Sequence, residues 1–231
     1  MPALALRGTD LVGVREAGGI DVFGLGPGGA LLEKSLSSAP FRYGLAHAFH
    51  GGRLYLASGD WERAQSFDLD AEDGAPKTLA TALLSNAELS RPSAWRHGAP
   101  RRLLLPFGEH VAEISSFGGQ ATGLLHPVSV EGEAVRFAVP AGPYVAGIAG
   151  ADRLWLVQGD KQRYRTTVVE VVFDAQGGSS ARSQVFLGAA VGAARYGERI
   201  YVADREVGVR VFETGASGLV HLGSASLEVE R

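Results

Sequence analysis

The twenty residues from Arg195 to Thr214, RYGERIYVADREVGVRVFET, carry the pattern from which the rest of the chain is read. Arg199 to Ala203 alternates and is rich in branched and aromatic residues. Asp204 to Val207 breaks the alternation, and Gly208 to Phe212 resumes it. Such a pattern specifies two antiparallel strands and a short turn. Arginine followed by three apolar residues recurs at Arg53, Arg102, Arg153 and Arg199, at the spacing of propeller blades, roughly 40 to 50 residues.

Working outward, the 231 residues divide into five units of one domain, 2–39, 41–90, 91–143, 144–188 and 189–231. The expected fold is an all-β, five-bladed propeller with four-stranded antiparallel blades, since radial packing of sheet on sheet buries both faces of each blade. Small residues in the first strands, among them Ala46, Ala48, Ala146, Gly147, Gly192 and Ala193, suit a crowded axis. A long β-sandwich or half-open barrel is the competing architecture, but it has no need of a hairpin that recurs at blade intervals. In the third unit the expected order is Ala94 to His97 innermost, Arg102 to Phe107 second and Val111 to Ser116 third. Leu124 to Val130 and Ala134 to Val139 both read as strands, so this blade is either longer than the others or carries an inserted hairpin. All four arginine-initiated strands are thereby expected second from the axis.

Composition narrows the function. The formal net charge is −3, with 20% charged residues, which gives no reason to expect nucleic acid or an anionic membrane as partner. With no cysteine, neither disulfides nor thiolate chemistry nor cysteine-bound metal can contribute. The N-terminal apolar run Ala3 to Leu6 stops at Arg7, and no later run approaches a membrane span. The expectation is a cytoplasmic protein. Lys34, Lys77 and Lys161 are the only lysines against 22 basic residues in all, a bias that points to a GC-rich bacterial genome.

Two apparent motifs are set aside. Gly24, Gly26 and Gly29 match the spacing of a dinucleotide-binding loop, but Pro27 stiffens the segment and no acidic residue stands at the expected downstream position. His47 and His50, three apart on a strand, point to opposite faces and do not form a metal pair. No cofactor and no metal are expected.

Tyr201-Val202-Ala203-Asp204 followed by Gly208-Val209-Arg210-Val211-Phe212 resembles the repeat of bacterial propellers of the LVIVD and YVTN type. The likeness is closest in the fifth unit, weakens in the fourth and second, and fails in the first. What the resemblance implies is a scaffold; those families share no single activity, so no functional residue is carried over.

In a propeller, the turns between second and third strands and the connections between blades collect on one rim, and the remaining turns on the other. The second set is mostly glycine and small polar residues, which is turn chemistry. The first set carries Trp61, Glu62 and Arg63; Glu109 and His110; Lys161, Gln162, Arg163, Tyr164 and Arg165; Arg205 and Glu206; and, on the connections, Phe41, Arg42, Tyr43, Arg91 and Tyr144. Arg, Tyr and Trp supply area, stacking and directional donors together, as protein-binding hot spots do. The expected ligand-binding set is therefore Tyr43, Trp61, Arg63, Arg91, His110, Tyr144, Arg163, Tyr164 and Arg205, with a peptide or protein as partner. Asp60, Glu109 and Asp160 recur after glycines on this rim. They are either turn residues bonding local amides or a carboxylate set. The alternatives are accordingly a glycosidase-like hydrolase or lyase, which needs two carboxylates about 5 to 9.5 Å apart, and a lectin with one site per blade.

Overall fold

The computed structural model describes residues 3–7, 10–14, 20–37, 44–58, 64–68, 77–78, 101–117, 120–128, 133–175, 177–215 and 218–226. Their strands form five four-stranded antiparallel sheets. The first contains β1 (Ala3–Arg7), β2 (Asp10–Val14), β3 (Ile20–Leu25) and β4 (Leu31–Ser37), and the second β5 (Gly44–His50), β6 (Arg53–Ser58), β7 (Ala64–Asp68) and β8 (Lys77–Thr78). The third is built from β9 (Arg101–Phe107), β10 (His110–Phe117), β11 (Gln120–Pro127) and β12 (Val135–Phe137). In the fourth are β13 (Tyr144–Ala149), β14 (Arg153–Asp160), β15 (Arg165–Phe173) and β16 (Ser179–Leu187). The fifth has β17 (Ala190–Tyr196), β18 (Arg199–Asp204), β19 (Gly208–Gly215) and β20 (Gly218–Ala225). Each sheet follows chain order, so every connection within it is a hairpin.

The first strands β1, β5, β9, β13 and β17 pack in succession, each on the next, which places them innermost. Close packing there needs small residues: a Cβ on Gly147 would lie 2.7 Å from a Leu105 methyl. Between sheets, alternate residues of each strand serve alternate neighbours. Val12 and Val22 meet Leu54, Leu56 and Phe67; Tyr55 and Ala57 meet Leu104 and Val111 on the opposite face. Ile114 and Phe107 then meet Leu154 and Leu156, and Trp155 and Val157 meet Ile200, Val202 and Phe212. Continuous apolar runs such as Leu154-Trp155-Leu156-Val157 arise because both faces are buried. The architecture is an all-β propeller of four-stranded antiparallel blades.

The third sheet departs from the sequence expectation. Arg102 lies in the innermost strand β9, not the second, and β10 opens at His110. Arg53, Arg153 and Arg199 do begin second strands. The repeat was therefore one hairpin out of phase at its second copy, because β9 is as apolar as a second strand and is followed by an equally tight turn at Gly108-Glu109. Both tail segments contribute strands, β11 and β12, as the third and fourth of the sheet, so with β9 innermost the sheet is no longer than the others. The expected inner strand Ala94 to His97 lies outside the described residues. Gly26 to Gly29 form a tight turn between β3 and β4, closed by the Gly26 amide on the Ala30 carbonyl at 2.8 Å. This strand-turn-strand unit offers no helix start to a pyrophosphate.

Candidate binding rim

Asp160 ends β14 and Asp204 ends β18, each at the turn into the third strand of its sheet. Asp160 Oδ1 accepts hydrogen bonds from the backbone amides of Gln162 and Arg163, both at 3.0 Å. Asp204 Oδ1 accepts from Glu206 at 3.0 Å and Val207 at 3.3 Å. The carboxylates thus fix the two turns from within, the local bonding that makes Asp a turn residue. Lys161, Gln162, Arg163, Tyr164, Arg205 and Glu206 are in consequence held outward.

Both turns are then tied to one linker. Between β16 and β17, the Gly188 amide donates to the Tyr164 carbonyl at 3.1 Å, and the Arg205 amide donates to the Ala189 carbonyl at 3.2 Å. From below, the Ala190 amide donates to Thr166 Oγ1 at 2.9 Å, and the Arg210 guanidinium donates to the Leu187 carbonyl. Arg210 Nε also lies 3.5 Å from Asp204 Oδ2, in a pair almost closed to solvent. Gly188 has a φ of +139°, and a Cβ there would sit 1.9 Å from Asp204 Oδ2, so no other residue fits. Tyr164 takes the left-handed conformation (φ +48°) that only it adopts among the described non-glycine residues. Such a conformation costs on the order of 1 kcal/mol or more and persists where the surroundings over-determine it. Here the carbonyl bond to Gly188 holds it, and the ring stands 40% exposed beside the linker. Arg163, 74% exposed, keeps Nε 3.7 Å from Asp160 Oδ2; in water such a pair restrains the side chain weakly.

Of the expected site residues, Arg163, Tyr164 and Arg205 come together on this rim. Tyr43, Trp61, Arg63 and Arg91 lie outside the described residues, as does Asp60. Tyr144 is in the core: it is 1% exposed, its hydroxyl donates to the Pro140 carbonyl at 2.6 Å, and burial pushes its pKa up to about 12 against a smaller opposing effect of Gln158. An aromatic residue on a connection can turn inward as readily as outward, and sequence gave no sign of which. His110 moves to the opposite rim along with Glu109, because the Gly108-Glu109 turn joins the first and second strands of the third sheet. Two contacts confirm that placement: His50 Nε2, at the corresponding turn of the second sheet, donates to the Gly108 carbonyl at 2.5 Å, and the Val128 amide donates to the Glu109 carbonyl at 3.0 Å. Glu109 and Asp160 therefore stand at opposite ends of their sheets and do not form a carboxylate pair.

Sequence reasoning missed two buried charge clusters. Between the second and third sheets, Glu113 accepts from His126 Nε2 at 2.9 Å and from Ser115 Oγ at 3.0 Å, with Arg102 Nε 3.6 Å away. Burial alone would raise the Glu113 pKa, but the His126 bond, the Arg102 charge and the Ser115 bond together hold it below the usual carboxylate value. Between the fourth and fifth sheets, Glu170 accepts from Arg153 Nη1 at 3.0 Å and from Arg182. Register supplied the missing signal: Trp155, Glu170 and Arg182 are cross-strand partners, so a carboxylate in the middle of the apolar run TTVVEVVF requires a cation on the adjacent strand. Among the described residues no three His, Asp or Glu side chains gather as a metal site.

Neither a family model nor a curated protein matches this sequence. Solved structures do match. A 6-phosphogluconolactonase candidate from Bacteroides fragilis superposes with a TM-score of 0.64 at 14% identity, over 97% of this chain and 70% of that one. The β-propeller domain of Cps50 (Swd1) from Myceliophteria thermophila gives 0.61 at 13% identity, over 100% and 76%. The computationally designed Ika8 protein gives 0.64 at 12%, over 91% of this chain and 57% of its own length, so here the chain spans little more than half of its counterpart. At these identities the likeness establishes the propeller fold and nothing about activity.

Proposed function

We propose that this chain is a non-catalytic binding protein whose five sheets serve as five blades, and that it takes a peptide or protein segment on the rim of the 161–164 and 205–207 turns. The observation that carries this reading is the shared linker. Tyr164 and Arg205, from adjacent sheets, are hydrogen-bonded to residues one apart in sequence, so an exposed aromatic ring and three exposed cations, Lys161, Arg163 and Arg205, are held as one surface. Preorganisation of that kind lowers the entropy lost on binding. Asp160, one of the carboxylates that might have served an enzyme, is committed to its own turn. A role presenting the bound segment to a partner enzyme fits a surface built from anchors. The likeness of 201–212 to LVIVD and YVTN repeats is read as a shared blade hairpin. Composition supports a bacterial cytoplasmic setting, and among the described residues no helix is long and apolar enough to cross a membrane.

The test is selection of peptides from a random display library against the wild-type chain, followed by titration against variants. Tyr164→Ala should weaken the selected peptides by at least ~30-fold, the loss of an anchor worth about 2 kcal/mol. Trp61→Ala, assigned to the same rim from sequence, should act likewise. Peptides that bind Tyr164→Ala at full strength would remove the rim as the site.

A further inference from the structure

The fifth sheet has two apolar faces, and among the described residues only one is packed against another sheet. Ile200, Val202, Phe212 and Leu219 pack against the fourth sheet. Their alternates point the other way: Ala194, Tyr201 and Val211 are aligned across β17, β18 and β19, with Ala203 and Val209 aligned beside them. Tyr201, Val209 and Val211 are half-buried, and Ala194 and Ala203 exposed. Tyr196 and Val220, on the same face, are 82% and 50% exposed.

Comparison with the other sheets shows what such a face is for. Tyr201 is the third residue of its second strand, as Tyr55 and Trp155 are of theirs. Tyr55 is 0% and Trp155 2% exposed, each covered by the next sheet in the chain. The first sheet mirrors this at the other end. Val12 and Val22 are covered by the second sheet, while their alternates Leu11 and Phe23, cross-strand partners of each other, are only half-buried. The fifth sheet therefore offers the kind of face that every preceding sheet presents forward, and the first sheet the kind presented backward. These exposures hold with the chain's own first sheet in place.

We propose that the Tyr201 face of the fifth sheet is an interface for a second copy of this chain, and that it receives the Leu11 and Phe23 face of that copy's first sheet. The contact is head-to-tail, so it repeats the sheet-on-sheet packing already used within the chain and generates a closed ring or a longer assembly. It lies on a sheet face, apart from the peptide rim, and it stands or falls separately from the proposed function.

Sedimentation velocity of the wild-type chain should show concentration-dependent association. Val211→Arg and Leu11→Arg, each placing a charge in the apolar contact, should weaken it by at least ~100-fold. Tyr196→Arg, at an exposed position where folding is not at risk, should weaken it in the same direction. Because each of the first two variants keeps one intact face, an equal mixture of Val211→Arg and Leu11→Arg should recover a one-to-one pair. A wild-type chain that sediments as a monomer at ~100 μM overturns the proposal, whether the two faces then meet within one chain or take a different protein. Association that survives Leu11→Arg overturns it too, since that result indicates like faces in contact.

Discussion

Replacing Gly188 by alanine should damage the rim severely. The added Cβ would lie 1.9 Å from Asp204 Oδ2 and 2.9 Å from Arg210 Nη2, and neither can retreat, because Asp204 is 5% and Arg210 8% exposed. Two costs combine. A non-glycine residue at a φ of +139° costs roughly 1–3 kcal/mol, and overpacking beside an immobile buried pair costs roughly 1–3 kcal/mol more. The sum is about 2–6 kcal/mol, a large share of the ~5–15 kcal/mol typical of a whole fold. Gly177 supplies the control. Its φ is +82°, and nothing lies within 4 Å of where its Cβ would stand, so Gly177→Ala should pay only the backbone term. Urea denaturation of the two variants against the wild type measures the difference. Gly188→Ala should lower the midpoint well beyond Gly177→Ala, and it should weaken rim-selected peptides because Tyr164 and Arg205 lose their common tie. Equal midpoints for the two variants would refute the reasoning, since the linker would then not be locked by the Asp204–Arg210 pair.

Glu113 gives a pH prediction. Its folded pKa is held below the ordinary value of about 4.3, so its contribution to stability is present above that value and is lost as pH falls through the folded one. Glu113→Gln, which leaves Arg102 without its buried counter-charge, should cost about 3 kcal/mol at pH 7, and the gap from wild type should narrow below about pH 4; a gap that stays constant with pH would refute the assignment. Tyr144→Phe should cost about 1 kcal/mol through the lost bond to Pro140 and leave peptide affinity unchanged, whereas weakened affinity would return Tyr144 to the site. Asp160→Asn keeps an acceptor for the Gln162 and Arg163 amides, so it should shift the urea midpoint by less than about 1 kcal/mol and alter peptide affinity less than Tyr164→Ala does.

How much of this was legible beforehand depended on which residues repeat. The fourth and fifth sheets were read to within a few residues, because Arg153 and Arg199 open strands whose apolar runs are bounded by polar turns. In the third, Arg102 misled: β9 and the true second strand β10 are both apolar and both precede tight turns, so a local pattern could not distinguish them, and His110 and Glu109 were assigned to the wrong rim as a result. Asp160 was legible as one of two things, a turn residue or part of a carboxylate set, and its bonds to the Gln162 and Arg163 amides decide for the turn. The tie between Tyr164 and Arg205 was not legible, since it runs through backbone atoms of 188 and 189 whose partners stand 24 and 16 residues away. The burial of Tyr144 and the Glu113 and Glu170 clusters likewise depend on which face of a strand meets which neighbour, which no single segment encodes.

Hydrogen–deuterium exchange of the chain with and without a rim-selected peptide tests the binding claim most directly. Protection should appear at 161–164, 187–190 and 205–207, the two turns and the linker that joins them. Protection confined to the opposite rim, at 50–53, 108–110 and 197–199, would contradict the account.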